Sequence, residues 1–195
     1  LLNEICRICA PARSGAKVKS VITYNFDDLL EKQLINQDIK HKSIFEEIDL
    51  PGDDDLPIYH VHGFLPESRS DYLGIEKSML VFSEEGYHKI YGDSYHWSNL
   101  IQLNSLKENC CLMIGLSLTD PNLRRLLEIS RRSTENAKHY AFLKRLDLNN
   151  FIGDNDALRN QREIISTFLD NHHNLNEQVF QELGVNVIWY RDHGD

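Results

Sequence analysis

The sequence predicts an α/β fold with a mostly parallel sheet. Along its 195 residues, short apolar runs alternate with segments of helical spacing, the pattern of βαβ units. Cys110 to Gly115 is continuously apolar, as in a strand covered on both faces. Two further runs end in Thr23-Tyr24-Asn25-Phe26-Asp27 and in His60-Val61-His62-Gly63, with polar side chains where each strand runs out. Ligands of open α/β sheets sit beyond the carboxyl ends of the strands, so these two ends suggest one shared site.

The elements follow in order. Leu1 to Cys9 reads as helix, and Val18 to Tyr24 as a strand. Asp27 to Gln37 has Leu29, Leu30 and Leu34 at helical spacing and acids in its first turn. Lys42 to Phe45 reads as a short strand, and Leu50 to Pro57 as a loop, from its prolines, glycine and acidic run. Ile58 to His62 is the next strand and Met79 to Phe82 a short apolar one. Ser83 is placed to cap a helix over Glu84 to Tyr91, and Trp97 to Glu108 is a second helix. After Cys110 to Gly115, Asp120 caps a helix that has Pro121 at its first position. His139 to Leu143 is a strand, and Asp156 to Leu183 is helical with a break at Asn171-His172-His173-Asn174, whose histidines read as solvated. Gly184 stops that helix in a left-handed turn before the last strand, Val185 to Tyr190.

Composition bounds the function. The chain is 41% hydrophobic and 26% charged, ordinary for a globular domain. A net charge of −9 argues against a broad basic nucleic-acid surface, and Arg124, Arg125, Arg131 and Arg132 read as a solvated helix face. No apolar run approaches the ~20 residues of a membrane span. No signal-peptide pattern is read, and a cytoplasmic location is the expectation. The helical pattern that begins at Leu1 suggests a piece of a longer protein, with residues 1–195 as a single domain. Cys110 and Cys111 are adjacent in a strand and point to opposite faces, so they do not share a metal. Cys6 and Cys9 have metal-pair spacing but no second pair, and all four cysteines read as reduced thiols. The run Asp53 to Asp55 lacks the ligand spacing of a calcium loop.

The strand ends carry the chemistry. Asn25 can orient a water or a sugar hydroxyl through one acceptor and two donors. Asp27 can accept from an amide or cap the helix that follows. His62 is the natural general base or acid, and Gly63 lets another group approach the backbone. His60 and His62 share a strand face, a start for a metal pair, but no third ligand is adjacent in sequence. Gly115-Leu116-Ser117-Leu118-Thr119-Asp120-Pro121-Asn122 is a third strand end. It leads into a helix N-terminus, which suits an anion or is an ordinary turn.

Together these segments resemble the sirtuin pattern: Thr23-x-Asn25-x-Asp27, then His62-Gly63, then Gly115-x-Ser117-Leu118. They resemble more closely the sirtuin-like domains of bacterial defence proteins. That likeness adds Asp28-Leu29-Leu30-Glu31, Val81-Phe82-Ser83 leading to Tyr87, Ile114 through Arg124, and Leu183 through Tyr190. It runs from about Val18 to His193.

The resemblance implies a Rossmann-like three-layer fold that binds NAD as a substrate, with no metal, and cleaves the nicotinamide–ribose bond. By the same likeness, Asn25 would position water or ribose and His62 would act as base on a ribose hydroxyl. Asp27, beside Thr23 and Gly63, would contact the nicotinamide amide. Gly115 and Ser117 would line the adenosine-side ribose and phosphate. A fused or associated sensor domain and a homo-oligomer are the partners it implies.

Two departures qualify the expectation. Between Gly63 and Cys110 there is no cysteine, so the zinc ribbon of the sirtuin deacetylases is missing. That favours NAD hydrolysis, or NAD sensing without turnover, over protein deacylation. The glycine-rich strand–turn–helix that opens such domains is also not found. Ser14-Gly15-Ala16 is nearest but precedes a strand instead of following one. The expectation is that this stretch alone binds NAD weakly.

Overall fold

The computed structural model describes the chain except residues 12–16, 82–85, 87, 89, 91, 133–135, 154–155 and 192–195, and the side chains of 156 and 157. Ser14-Gly15-Ala16, the Ser83 cap, Phe82, Tyr87 and His193 lie outside the described residues. The chain divides into two compact units, Leu1–Gln102 and Leu103–Asp195. Each contains a three-stranded sheet in which every pairing is parallel, an α/β, Rossmann-like architecture.

The first unit holds α1 (Leu2–Cys9), β1 (Val21–Thr23), α2 (Leu29–Asn36), β2 (His41–Ile44) and β3 (Leu56–His60), with β3 central in the order β1-β3-β2. Along β3 burial alternates: Leu56, Ile58 and His60 face inward. The apolar partners of Leu56 and Ile58 are Cys6 of α1, Leu34 of α2 and Ile39, and each large apolar side chain buried this way contributes about 1.5–3 kcal/mol.

The sequence places Pro57 in the preceding loop, yet it lies inside the central strand. The Leu56 N–H donates to the Lys40 carbonyl on the β2 side at 3.0 Å. Position 57 therefore turns its nitrogen toward β1, whose pairing starts only at Val21 with Ile58. A missing N–H costs no ladder bond there. Met79 to Val81, expected as a strand, is not one.

The boundary between the units falls within α3 (Trp97–Glu108). The second unit continues with β4 (Leu112–Met113), α4 (Pro121–Arg131), β5 (His139–Lys144), α5 (Leu148–Ile152), α6 (Asp156–Arg159), α7 (Arg162–Glu182) and β6 (Val185–Tyr190). Its core joins Met113, Leu123, Leu126, Leu127, Ala141 and Val185. The apolar run at Cys110 is shorter as a strand than expected and is not covered on both faces. β4 is an edge strand of two residues, and Leu112 and its partner Tyr140 are both exposed. Asp120 caps α4 as expected, its Oδ1 accepting the Leu123 N–H at 2.7 Å, and Gly184 adopts φ +82°.

The expected break at Asn171 to Asn174 does not occur, since α7 runs through it. Helical spacing explains why. His173 lies four and eight residues beyond Leu169 and Ile165, so it continues their buried stripe while His172 stays exposed. His173 Nε2 accepts the Leu146 N–H at 3.1 Å, and its ring meets Trp189 edge-on.

A second buried histidine gives the fold a pH dependence. His139 Nδ1 accepts the Cys111 N–H at 3.2 Å. Burial, and secondarily the Lys138 charge, push its pKa down to about 4. An unfolded chain's histidine titrates near ~6.5 and so binds more protons than the folded one between the two values. Its contribution to stability is full above that range and is lost as pH falls through it. The expected loss is on the order of 2 kcal/mol. Urea midpoints measured against pH check it: His139→Gln flattens the decline, and an equal decline in both proteins refutes the assignment.

Candidate functional site

In the first unit, Thr23 at the end of β1 pairs with His60 at the end of β3. The ladder carries on one step, the Val61 N–H donating to the Thr23 carbonyl at 3.3 Å. Beyond the strands the two segments stay in touch, the Tyr24 ring meeting the His62 ring and the Asn25 carbonyl oxygen lying against His60 Nδ1. Thr23, Asn25 and Asp27 thus lie at or just beyond the carboxyl end of one strand, and His62 and Gly63 just beyond that of its parallel neighbour.

The Asn25 segment is tied to the fold mainly through its backbone. The Asn25 N–H donates to Thr23 Oγ1 at 3.1 Å, and the Asn25 carbonyl oxygen lies 3.2 Å from His60 Nδ1. The Leu65 N–H donates to the Phe26 carbonyl at 2.7 Å. Asp27 Oδ1 accepts the Leu29 N–H at 3.2 Å, the helix-start role open to it. The side-chain amide of Asn25 takes no part in this tying and is exposed.

His62 is half-buried, its ring edge-on to Tyr24 with centroids 4.7 Å apart. The Tyr24 hydroxyl donates to Gln102 Oε1. Gly63 has φ +98°, and a Cβ there would lie 2.4 Å from the Met79 carbonyl oxygen. The close approach that its sequence position suggested is therefore made by the chain itself. It is fastened by the Val81 N–H donating to the His62 carbonyl at 2.9 Å.

Behind the Asn25 segment lies a cluster that the sequence reading did not assemble. Glu31 of α2 is 0% exposed and His60 1%. Ser43 Oγ of β2 donates to Glu31 Oε1 at 2.8 Å, and His60 Nε2 lies 2.6 Å from the same oxygen. Phe64 lies over the imidazole with centroids 4.0 Å apart. These are the residue types of a hydrolytic triad in the wrong order, because the carboxylate sits between the serine and the histidine. Both His60 nitrogens are engaged, so the His60–His62 metal pair has no support. Among the described residues no group of three or more His, Cys, Asp or Glu is placed to hold a metal. The signal for Glu31 was its spacing: three residues before Leu34, it shares that residue's buried face.

Gly115 and Ser117 lie in the second unit, beyond β4. Gly115 has φ +72°, with open space where a Cβ would stand. Ser117 Oγ is 2.7 Å from Thr119 Oγ1, and both residues are exposed. Leu118 between them takes φ +58° and is buried. The N-terminus of α4, which suits an anion by itself, already holds the Asp120 carboxylate. Among the described residues no helix is long and apolar enough to cross a membrane.

Comparison with known proteins adds two findings. A family model described as a SIR2-like domain matches residues 19–174. The NAD(+) hydrolase ThsA of Enterococcus faecium is 26% identical over 151 residues, a stretch that is 74% of this chain and 30% of that protein.

Proposed function

Because the chain belongs to the SIR2-like family, we propose that its first-unit strand ends form a NAD site and that the protein carrying it hydrolyses NAD to nicotinamide and ADP-ribose. The observation that carries this reading is that the segments bearing Asn25 and His62 leave the carboxyl ends of two adjacent parallel strands in contact with each other. The relative's NAD(+) hydrolase activity supports the choice of reaction. So does the stretch between Gly63 and Cys110, which lacks the cysteine ligands of a zinc ribbon.

The chemistry asks little of the protein. Nicotinamide leaves as a neutral molecule from a cationic glycoside, and the transition state resembles an oxocarbenium ion. The exposed amide of Asn25 would hold water or the ribose in line. His62 would take a proton from a ribose hydroxyl. Asp27 spends one oxygen on the Leu29 amide and keeps the other for the nicotinamide carboxamide. Thr23 acts on this site through the Asn25 N–H. For Gly115 and Ser117, a role toward the adenosine-side ribose and phosphate rests on the family resemblance.

The chain matches 30% of its relative's length, which supports a setting in which this stretch is fused to further domains that sense a signal or assemble the protein. Incubating the full-length protein with labelled NAD tests the proposal. Release of nicotinamide with ADP-ribose supports hydrolysis. Binding without release would make this a NAD-sensing module, and turnover only in the presence of an acylated lysine peptide would make it a deacylase.

A further inference from the structure

The Ser43–Glu31–His60 cluster is costly to bury, and Glu31 Oε2 is buried with no hydrogen-bond partner among the described residues. Hydrogen-bond chemistry narrows what it does. A carbonyl oxygen only accepts, so the contact with Asn25 requires a hydrogen on His60 Nδ1. Between His60 Nε2 and Glu31 Oε1 one proton must lie, on nitrogen or on oxygen. Either form leaves the pair neutral overall and keeps the Nδ1–H on Asn25. Ser43 fixes the carboxylate, and the Phe64 ring over the imidazole restrains its rotation.

We propose that His60, oriented by Glu31 and Ser43, is a positioning residue that sets where Asn25 stands relative to His62. Its main chain leads directly to His62, and its side chain grips the carbonyl of Asn25. One residue therefore couples the two groups assigned to the reaction. It touches neither substrate nor reacting atoms. This inference rests on the NAD reading for Asn25 and His62.

The test uses the full-length protein, with NAD cleavage and urea unfolding measured on each variant. His60→Phe keeps a ring of similar size and loses both ring nitrogens, and with them the hydrogen bond to the Asn25 carbonyl. It is expected to stay folded, to lower kcat by roughly ten- to a hundredfold and to leave KM within about threefold. In Glu31→Gln, the side-chain NH2 can donate to His60 Nε2 and to Ser43 Oγ, so the Nδ1–H stays on Asn25. Glu31→Gln is expected to recover most of the kcat that Glu31→Leu loses. That recovery also decides the matter if His60→Phe fails to fold. An unchanged kcat in folded His60→Phe, or a Glu31→Gln as impaired as Glu31→Leu, overturns the proposal.

The carbonyl-carbon NMR shift of Asn25 provides a readout independent of turnover. It is expected to move in His60→Phe or in Glu31→Leu and to stay near its native value in Glu31→Gln. A wild-type protein that leaves NAD intact refutes the hydrolysis reading alone. An Asn25 shift insensitive to His60 and Glu31 refutes the positioning role alone.

Discussion

Replacing either Asn25 or His62 with alanine in the full-length protein is expected to abolish measurable NAD cleavage, with kcat falling by roughly 10²–10⁴-fold and the fold retained. The two losses have different origins. At Asn25 the exposed amide is removed, while the backbone bonds that hold the segment need no side chain from that residue. The urea midpoint should therefore hardly move. At His62 the alanine also removes the edge-on contact with Tyr24, worth about 0.5–1.5 kcal/mol. A modest loss of stability should accompany the loss of turnover. Nicotinamide release and urea unfolding, measured on the same preparations, separate the two effects. If both variants remain folded and fully active, the assignment of these residues is wrong.

This contrast reverses for the neighbouring histidine. His60 and His62 are two residues apart and look equivalent in sequence, on one face of a strand. The strand ends at His60, however, and the turn that follows takes His62 out of the alternation. His60 is buried in phase with Ile58 and Leu56, while His62 is left half-exposed at the rim. His60, not His62, is the core histidine satisfied by its surroundings. Strand periodicity gave the correct face for His60 but could not say where the strand would stop.

Other features divide along the same line. Locally coded signals are found where the sequence placed them: the Asp120 cap with Pro121, the Gly184 turn, and the strand Val185–Tyr190. What the sequence misjudged depended on neighbours far along the chain. Pro57 fits a central strand because the adjacent strand begins one residue later. The polar row at Asn171 stays helical because only His173 on its buried side meets the core. The Glu31 carboxylate is buried because Ser43 and His60 arrive from two different strands. For the candidate site, the adjacency of the two strand ends was legible from their polar termini. The support behind it was not, since three separate elements build it.

The largest effect on stability is expected at Gly63. Gly63→Ala should cost about 3 kcal/mol or more, enough to unfold a marginal protein. Two independent penalties meet there. The residue holds φ +98°, a conformation that an L side chain rarely adopts. The added Cβ would also stand 2.4 Å from the Met79 carbonyl oxygen and 2.9 Å from Leu80 Cα, both backbone atoms that no rotamer change can clear. Relief would require that segment to move away, which would break the bond from the Val81 N–H to the His62 carbonyl and release His62 with it. Gly115 is the internal control. It has φ +72° but open space around its missing Cβ, so Gly115→Ala carries only the conformational penalty, about 1 kcal/mol. Urea unfolding of the two variants side by side measures the difference. Equal losses would mean that the backbone contact at Met79 adds nothing. A greater loss at Gly63, accompanied by a shift in the His62 ring resonances, would show that the glycine keeps the rim of the site in place by admitting its own chain.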